Sequence, residues 1–293
     1  MRFIKLLAIG LALLCLCACM AAPSAGVDIA ATTGPVAQFA GEIVAGTDLQ
    51  VAQLINESVS CVHDYSLSVR QMELVQTSDV VLLSGAGLET FLEDVLDTAH
   101  EVVDCSEGVS LKDLDGHDHH HDGHDHGHED DPHIWLDPLR AAQMAENICA
   151  GLTARYPELE AQFRTNTEQL VLRLQALDSY GRETLSDLSC RDLITFHDGF
   201  GYLADAYDLH IVAAIEEESG SEASARDLIE IIEEIEHHNL PAVFTERNGS
   251  VSAASVIHRE IGVPVYALDM AMGGSDYFAA MEANFDTLKE ALQ

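Results

Sequence analysis

The chain has 293 residues, of which 50 are acidic and 14 are basic, so its formal net charge at neutral pH is −36. A protein this acidic is repelled by nucleic acids and by anionic lipid headgroups, which excludes both as partners, whereas it attracts cations. With 47% hydrophobic residues, the chain is long enough for one large or two medium-sized domains with complete cores.

The N-terminal segment has the pattern of an export signal. Arg2 and Lys5 precede an apolar run over residues 6–16, which is too short for a comfortable transmembrane helix. The run ends in Leu16-Cys-Ala-Cys19, which has the form of a bacterial lipobox. We therefore predict that lipid attached to the Cys19 thiol holds the protein on the extracytoplasmic face of a membrane, at the cell surface or in the periplasm.

This interpretation sets the first boundaries along the chain. We predict a signal peptide over residues 1–18 and a lipidated tether over residues 19–26. The alternative is an ordinary signal peptide that is cleaved near Ala21 or Ala22, because small residues also mark that kind of cleavage site.

From residue 27 onward, strand-like and helix-like patterns alternate. The patterns predict strands over residues 28–33, 50–55, 80–84 and 101–104, and helices over residues 36–45, 66–77, 89–99 and 138–156. This alternation favours a mainly parallel sheet covered by helices. We assign residues 27–156 to an N-terminal β/α lobe.

A histidine-rich segment over residues 116–130 interrupts this lobe. It holds seven of the fifteen histidines of the chain, namely His117, His119, His120, His121, His124, His126 and His128. Because the segment has no hydrophobic residue, it cannot bury a core and is expected to be a mobile loop. Imidazole is a common ligand of zinc-like ions, so the loop is predicted to collect such ions without holding one in a fixed geometry.

A long helix is predicted over residues 157–188, where Pro157 stands at a position suited to a first helical turn. The alternation then resumes, with strands predicted over residues 191–196, 210–214, 242–246 and 263–269, and helices over residues 199–207, 223–238, 250–262 and 276–292. Residues 189–293 therefore form a C-terminal β/α lobe. The predicted fold class is α/β, with two lobes of mainly parallel sheet joined by one long rigid helix and a metal site in the cleft between them.

Four side chains with metal-binding chemistry follow predicted strands or lie at lobe edges: His63, His133, His197 and Asp269. In open β/α sheets, ligands bind beyond the carboxyl ends of the strands, so a cleft between the lobes would bring these four residues to one ion. Three imidazoles and one carboxylate suit a four-coordinate cation of the size of zinc. Taken singly, each residue could instead belong to a loop or a helix cap.

The remaining polar residues near these positions have two possible roles. Asp137 and Asp198 follow ligand candidates closely, and each could orient an imidazole or cap the helix that follows it. The other histidines outside the loop, which we interpret as structural or surface residues, are His100, His210, His237, His238 and His258.

Four cysteines remain after the predicted processing: Cys61, Cys105, Cys149 and Cys190. Outside the cytoplasm an even number permits disulfides. Three pairings are possible, and we favour Cys61 with Cys105 and Cys149 with Cys190 because each pair stays within one region. Since Cys61 lies two residues before His63, a thiolate ligand at this position is the alternative.

Several motifs carry a family resemblance that runs from Asp28 to the C-terminus. They include Ala30-Ala-Thr-Thr-Gly-Pro35, Pro132-His-Ile-Trp-Leu-Asp-Pro138 after a polyhistidine loop, and Phe196-His-Asp-Gly-Phe-Gly-Tyr202. With these motifs the chain resembles the metal-binding lipoproteins of bacterial zinc and manganese ABC uptake systems, the cluster A-I solute-binding proteins. The resemblance implies two β/α lobes joined by a long helix.

The resemblance also implies one metal ion between the lobes, at the positions of His63, His133, His197 and Asp269. Manganese-type members tend to have a carboxylate where this chain has His197, which favours Zn²⁺ over Mn²⁺ as the bound ion. The segment Ser60-Cys-Val-His63 departs from the family pattern because it lacks the glycine and proline that usually precede this histidine.

The expected function is to capture Zn²⁺ outside the cytoplasm and deliver it, as a monomer, to the permease of an ABC transporter. Alternatives are a manganese- or iron-type binding protein of the same family, and a surface zinc buffer or adhesin without transport. A zinc hydrolase is less consistent with the sequence, which has no His-Glu-x-x-His helix and no Gly-x-Ser-x-Gly elbow. We therefore expect no enzymatic activity.

Overall fold

The computed structural model describes residues 26–56, 65–112, 130–216, 224–247, 249, 251–273 and 276–293. Within these ranges the strands form two separate four-stranded sheets, and all strand pairs are parallel. A 25-residue helix separates the two sheets along the chain. The structure thereby confirms the predicted fold class of two α/β lobes joined by a long helix.

The first sheet has the strand order β2-β1-β3-β4. Its strands are β1 (Ile29–Ala31), β2 (Val51–Gln53), β3 (Val80–Leu83) and β4 (Val102–Asp104). The helices of this lobe are α1 (Gly34–Ile43), α2 (Val69–Thr77), α3 (Glu93–Leu96) and α4 (Pro138–Arg155). Each strand is shorter than predicted.

The second sheet has the order β6-β5-β7-β8. Its strands are β5 (Asp192–His197), β6 (His210–Glu216), β7 (Val243–Glu246) and β8 (Val265–Leu268). The long linking helix is α5 (Glu160–Thr184), and the helices that cover the second sheet are α6 (Gly201–Ala206), α7 (Ala225–His238), α8 (Ser252–Ile261) and α9 (Tyr277–Leu292). In both sheets the first strand of the lobe lies between the next two strands of the chain, so the connections run first to one side of it and then to the other, and each sheet has a switch point at which a cleft opens.

Helix α5 contacts both lobes through one buried face. Phe163, Leu170, Leu174 and Leu177 recur on this face at helical spacing and are almost fully buried. The face packs against α1 and α4 of the first lobe and against α9 of the second. A methyl group on Gly181 would lie within 2.8 Å of aromatic carbons, so this helix and the second lobe approach each other closely. The linking helix is therefore part of a core that includes both lobes.

The lobes also meet directly beside the predicted cleft. The amide of Gly34, at the start of α1, donates to the carbonyl oxygen of Met272 at 2.8 Å. A methyl group at Gly34 would lie 2.5 Å from that oxygen, so only glycine permits the approach. The Gln38 side chain adds a hydrogen bond of 2.8 Å to Asp276. The segment after β1 and the segment after β8 are thus held against each other.

The helix predicted over residues 89–99 is shorter and less regular than predicted, and covers residues 90–96. A 3-10 turn, Thr90–Leu92, leads into α3, which has only four residues. Glu89, the residue before this turn, directs its side chain inward and accepts hydrogen bonds from the backbone amides of Ser84 at 2.6 Å and Gly85 at 3.0 Å.

Glu89 also joins the carboxyl ends of β1 and β3. Thr32 donates its hydroxyl to Glu89 Oε1 at 2.6 Å, and Thr33 lies 3.4 Å from Ser84 through their hydroxyls. Burial raises the pKa of Glu89 to about 7, because desolvation outweighs the hydrogen bonds that favour the ionised form. The titratable carboxyl group of Glu89 is therefore in contact with Thr32, two residues before Gly34, which contacts the second lobe.

The predicted disulfide between Cys149 and Cys190 is wrong, since both residues are free thiols. Cys149 lies in the second half of α4, the helix that precedes the start of α5. Cys190 lies beyond the other end of α5, whose last residue is Thr184. Twenty helical residues separate these two ends by about 30 Å, far more than a disulfide spans.

The other predicted pairing involves Cys105, a buried free thiol whose pKa is raised by burial. Its partner Cys61 lies outside the described residues, as do the predicted signal peptide and the lipidation site Cys19. Among the helices that the structure describes, none is long and apolar enough to cross a membrane.

Candidate metal centre

Two of the four predicted ligands meet between the lobes. His133 lies at the start of a 3-10 turn, Ile134–Leu136, just before α4, and His197 is the last residue of β5. Their Nε2 atoms are 3.4 Å apart, and the rings stand nearly perpendicular with centroids 5.1 Å apart. Both residues are buried, with exposed fractions of 3% and 6%. Residues 64 positions apart in sequence thus present their distal ring nitrogens to each other.

A carboxylate fixes the orientation of His133. Asp131 Oδ1 accepts a hydrogen bond from the His133 backbone amide at 2.9 Å and lies 2.8 Å from its Nδ1 atom. An ionised carboxylate can only accept, so in the neutral imidazole the proton lies on Nδ1 and the lone pair on Nε2. That is the arrangement in which histidine binds a metal through Nε2.

The turn that carries His133 is anchored in the second lobe. The Trp135 indole nitrogen donates to the carbonyl oxygen of Met270 at 2.8 Å, and the Tyr277 hydroxyl donates to the carbonyl oxygen of Trp135 at 2.6 Å. Both aromatic side chains are fully buried. These hydrogen bonds hold a residue of the first lobe against the segment that follows β8.

His197 has an acidic neighbour as well. Its Nδ1 atom lies 3.9 Å from Oε1 of Glu246, a buried residue at the end of β7. A methyl group at Gly199 would lie 2.6 Å from the His197 ring, so glycine leaves room for the imidazole at this point. The acid therefore lies on the Nδ1 side, and Nε2 points toward His133.

The separation of the two Nε2 atoms matches the geometry of a tetrahedral zinc site. With Zn–N bonds of about 2.0–2.1 Å and a tetrahedral angle, two ligand nitrogens lie about 3.3–3.4 Å apart. A right angle, as in an octahedral site, would bring them to about 2.9 Å at the same bond length. Without a metal, a proton on one of the two Nε2 atoms allows a hydrogen bond between them at 3.4 Å, whereas a zinc ion between them would bind the lone pairs of both.

Asp269 follows β8 as predicted and is buried, but its carboxylate is engaged locally. Oδ1 accepts from the Ala271 amide at 2.8 Å, and Oδ2 lies 3.4 Å from Nε of Arg247. Asn284 holds the Asp269 backbone through two hydrogen bonds of 2.8 Å. Within the described ranges no group of three or more His, Cys, Asp or Glu side chains is arranged to hold a metal ion, so Asp269 stays a predicted ligand.

The other predicted metal-binding residues fall outside the described residues. They are His63, its neighbour Cys61, and the loop histidines His117, His119, His120, His121, His124, His126 and His128. Their assignment to the metal site, or to the auxiliary loop, remains a prediction.

The structure decides between the two roles considered for Asp137. It is the N-cap of α4, because its side chain accepts from the Leu139 amide at 2.8 Å, and it also pairs with Arg140. The capping role considered for Asp198 is wrong, since α6 begins at Gly201 and Phe200 occupies its N-cap position. Asp131 instead orients the imidazole of His133.

Sequence reasoning missed three residues of the site: Asp131, Glu246 and Arg247. Glu246 could have been found by the rule that identified His197, since it also ends a buried strand of the second sheet. Asp131 lies two residues before His133, where a bond to the backbone amide is a common local turn. The position of Arg247 depends on the pairing of β7 with β8, which the sequence alone does not specify.

Comparison with known proteins gives one family and several relatives. The family model described as "ZnuA: Zinc-uptake complex component A periplasmic" matches residues 29–291. The zinc-binding lipoprotein AdcA of Streptococcus pneumoniae is 31% identical over 99% of this chain. A crystal structure of ZnuA superposes with a TM-score of 0.79 at 26% identity, covering 92% of this chain and 100% of the other.

A second solved relative is the Zn(II)-bound ZnuA-like domain of AdcA from Streptococcus pneumoniae. It has a TM-score of 0.76 and 28% identity, and the match covers 91% of this chain and 99% of that domain. The chain spans 61% of the full length of the pneumococcal AdcA and 55% of a Streptococcus pyogenes AdcA. The similarity therefore concerns the ZnuA-like part of those longer proteins.

Proposed function

Because the chain belongs to the ZnuA family of zinc-uptake complex components, we propose that it captures Zn²⁺ outside the cytoplasm and delivers it to the permease of an ABC transporter. The observation that carries this proposal is the 3.4 Å separation of the Nε2 atoms of His133 and His197, which suits two nitrogen ligands of one tetrahedral ion. A relative described as a zinc-binding lipoprotein supports lipid attachment at Cys19.

In the proposed site His63 and Asp269 complete the coordination of zinc. Four protein ligands close the coordination sphere, whereas a catalytic zinc keeps one position open for water. The role is therefore that of a binding protein and not of a hydrolase. The protein acts as a monomer, and the loop over residues 116–130 is an auxiliary collector of ions.

A manganese- or iron-type binding protein is the second candidate within the same family. Imidazole is a better ligand for Zn²⁺ than for Mn²⁺, and the described part of the centre contributes two imidazoles with a spacing close to the tetrahedral value. Zinc is therefore the preferred ion. A metal competition experiment with Zn²⁺ and Mn²⁺ on the purified protein separates the two candidates.

The contact between Asp131 and His133 leads to a prediction on affinity. We expect Asp131→Asn to weaken zinc binding about 10- to 100-fold, which is the usual effect of losing a carboxylate that orients a metal-binding histidine. Zinc affinity would be measured by competition with a chromophoric chelator. Asp130→Asn is the matched control, because it removes the same charge from an exposed neighbour. Equal affinities of the two variants would contradict the role of Asp131.

A growth experiment tests transport. A strain that lacks the gene should fail to grow when zinc is scarce, and the wild-type gene should restore growth, whereas a gene carrying His133→Ala and His197→Ala should not. Added zinc should rescue every strain. If the deletion strain grows normally in zinc-poor medium while the protein still binds zinc, the protein is a surface buffer or adhesin without transport.

A further inference from the structure

We propose that Arg247 competes with zinc for Asp269. Its guanidinium pairs with the Asp269 carboxylate in the metal-free protein and must move away before Asp269 can bind the ion. This inference rests on the proposed function, because it concerns access to one ligand of the proposed zinc site. It assigns to Arg247 a part in setting zinc affinity and in easing release of the ion.

The end of β7 directs two adjacent side chains at two predicted ligands. Glu246 lies 3.9 Å from His197, and Arg247 lies 3.4 Å from Asp269. The pairing of Glu246 with Leu268 and the hydrogen bond of 2.8 Å from the Arg247 amide to the Leu268 carbonyl oxygen fix this register. Each predicted ligand of the second lobe therefore has a charged neighbour at the end of β7.

The two partners of the Arg247–Asp269 ion pair differ in their freedom to move. The Asp269 side chain is 9% exposed, and its backbone and Oδ1 are held by Asn284 and Ala271. Ala271 has a φ of 56°, so the turn that holds this carboxylate adopts a conformation that L residues rarely adopt. By contrast, the Arg247 side chain is 56% exposed. When zinc arrives, the guanidinium is the group that can withdraw into water.

Zinc and the Arg247 guanidinium compete for the Asp269 carboxylate because both carry positive charge. Oδ2 of Asp269 is the oxygen that faces the guanidinium, while Oδ1 accepts from the Ala271 amide. A second cation at this carboxylate is repelled by the first, so zinc binding includes the cost of breaking the ion pair. Because the guanidinium is exposed to solvent, water and salt screen the pair, and the penalty is therefore modest. The same pair can re-form when zinc leaves, which favours release.

The test compares Arg247→Met with Arg226→Met in the complete protein. Arg226 lies on α7 of the same lobe, is exposed, and pairs with Glu230, so both variants lose one exposed arginine charge and one ion pair. We expect Arg247→Met to bind zinc about two- to fivefold more tightly than the wild type, which corresponds to the strength of a solvent-screened pair, and Arg226→Met to leave the affinity unchanged. The gain should shrink in concentrated salt, which screens the pair.

A double-mutant cycle makes the test specific to Asp269. In an Asp269→Asn background, the additional change Arg247→Met should no longer tighten zinc binding. Equal effects of the two arginine variants on the wild type, or weaker binding by Arg247→Met, would overturn the inference while leaving the proposed function intact. If the wild-type protein fails to bind zinc at all, the proposed function fails, and this inference fails with it.

Discussion

Replacing His197 by alanine is expected to weaken zinc binding by about 10²- to 10³-fold. A tetrahedral site that binds zinc with about 10–16 kcal/mol, shared among four ligands, loses about 3–4 kcal/mol with one of them, and this loss corresponds to the stated change in the dissociation constant. The reason lies in the centre itself, where Nε2 of His197 faces Nε2 of His133 at 3.4 Å. The measurement is a zinc titration in competition with a chelator of known affinity.

Two further variants make this result interpretable. His133→Ala should cause a loss of similar size, because both imidazoles face the same proposed ion. His210→Ala is the matched control, since His210 is an exposed histidine of the same lobe that lies beside Asp192, and it should leave the affinity unchanged. Tight binding that survives loss of either His133 or His197 would contradict a shared ion. Thermal unfolding of each apoprotein shows whether the fold has been preserved.

The second large effect is a pH dependence of stability that arises from Glu89. Its folded pKa of about 7 lies above the ordinary value of 4.5, so the folded protein retains a proton that the unfolded chain has already lost between these values. The stabilising contribution is complete below about pH 4.5 and is lost as the pH rises through about 7. We expect this residue alone to lower the free energy of unfolding by about 3 kcal/mol across that window.

The measurement is urea unfolding of the wild type and Glu89→Gln between pH 4.5 and 8. Because many other carboxylates also titrate, the informative quantity is the difference between the two proteins at each pH. The free energy of unfolding of Glu89→Gln should fall less with rising pH than that of the wild type. Glu73→Gln, at an exposed site on α2, should follow the wild-type curve. A constant difference between the wild type and Glu89→Gln at every pH would contradict the raised pKa.

The fold was largely predictable because its main signals are local. Alternating strand and helix patterns predicted both parallel sheets, and the apolar stripe with Phe163, Leu170 and Leu174 predicted the linking helix, whose face is buried as expected. The family resemblance is confirmed by the match over residues 29–291. The predictions that failed depended on tertiary geometry. The helix predicted over residues 89–99 is reduced to residues 90–96, and the length of α5 separates Cys149 from Cys190.

The centre was predictable only in part. His133 and His197 could be identified because each lies at a lobe edge or strand end, where the two halves of such a fold face each other. The groups that contact these ligands could not be identified from sequence spacing alone, since their roles depend on which atoms meet in space. Asp131 reaches the ring of His133, and Arg247 reaches Asp269 across β7 and β8.

Whether imidazoles from both lobes bind one ion between them is tested most directly by anomalous diffraction at the zinc absorption edge from crystals grown with zinc. We expect one strong peak between Nε2 of His133 and Nε2 of His197, at about 2.0–2.1 Å from each nitrogen. A strong zinc peak elsewhere in the molecule, with neither of these two nitrogens in contact with metal, would contradict this expectation.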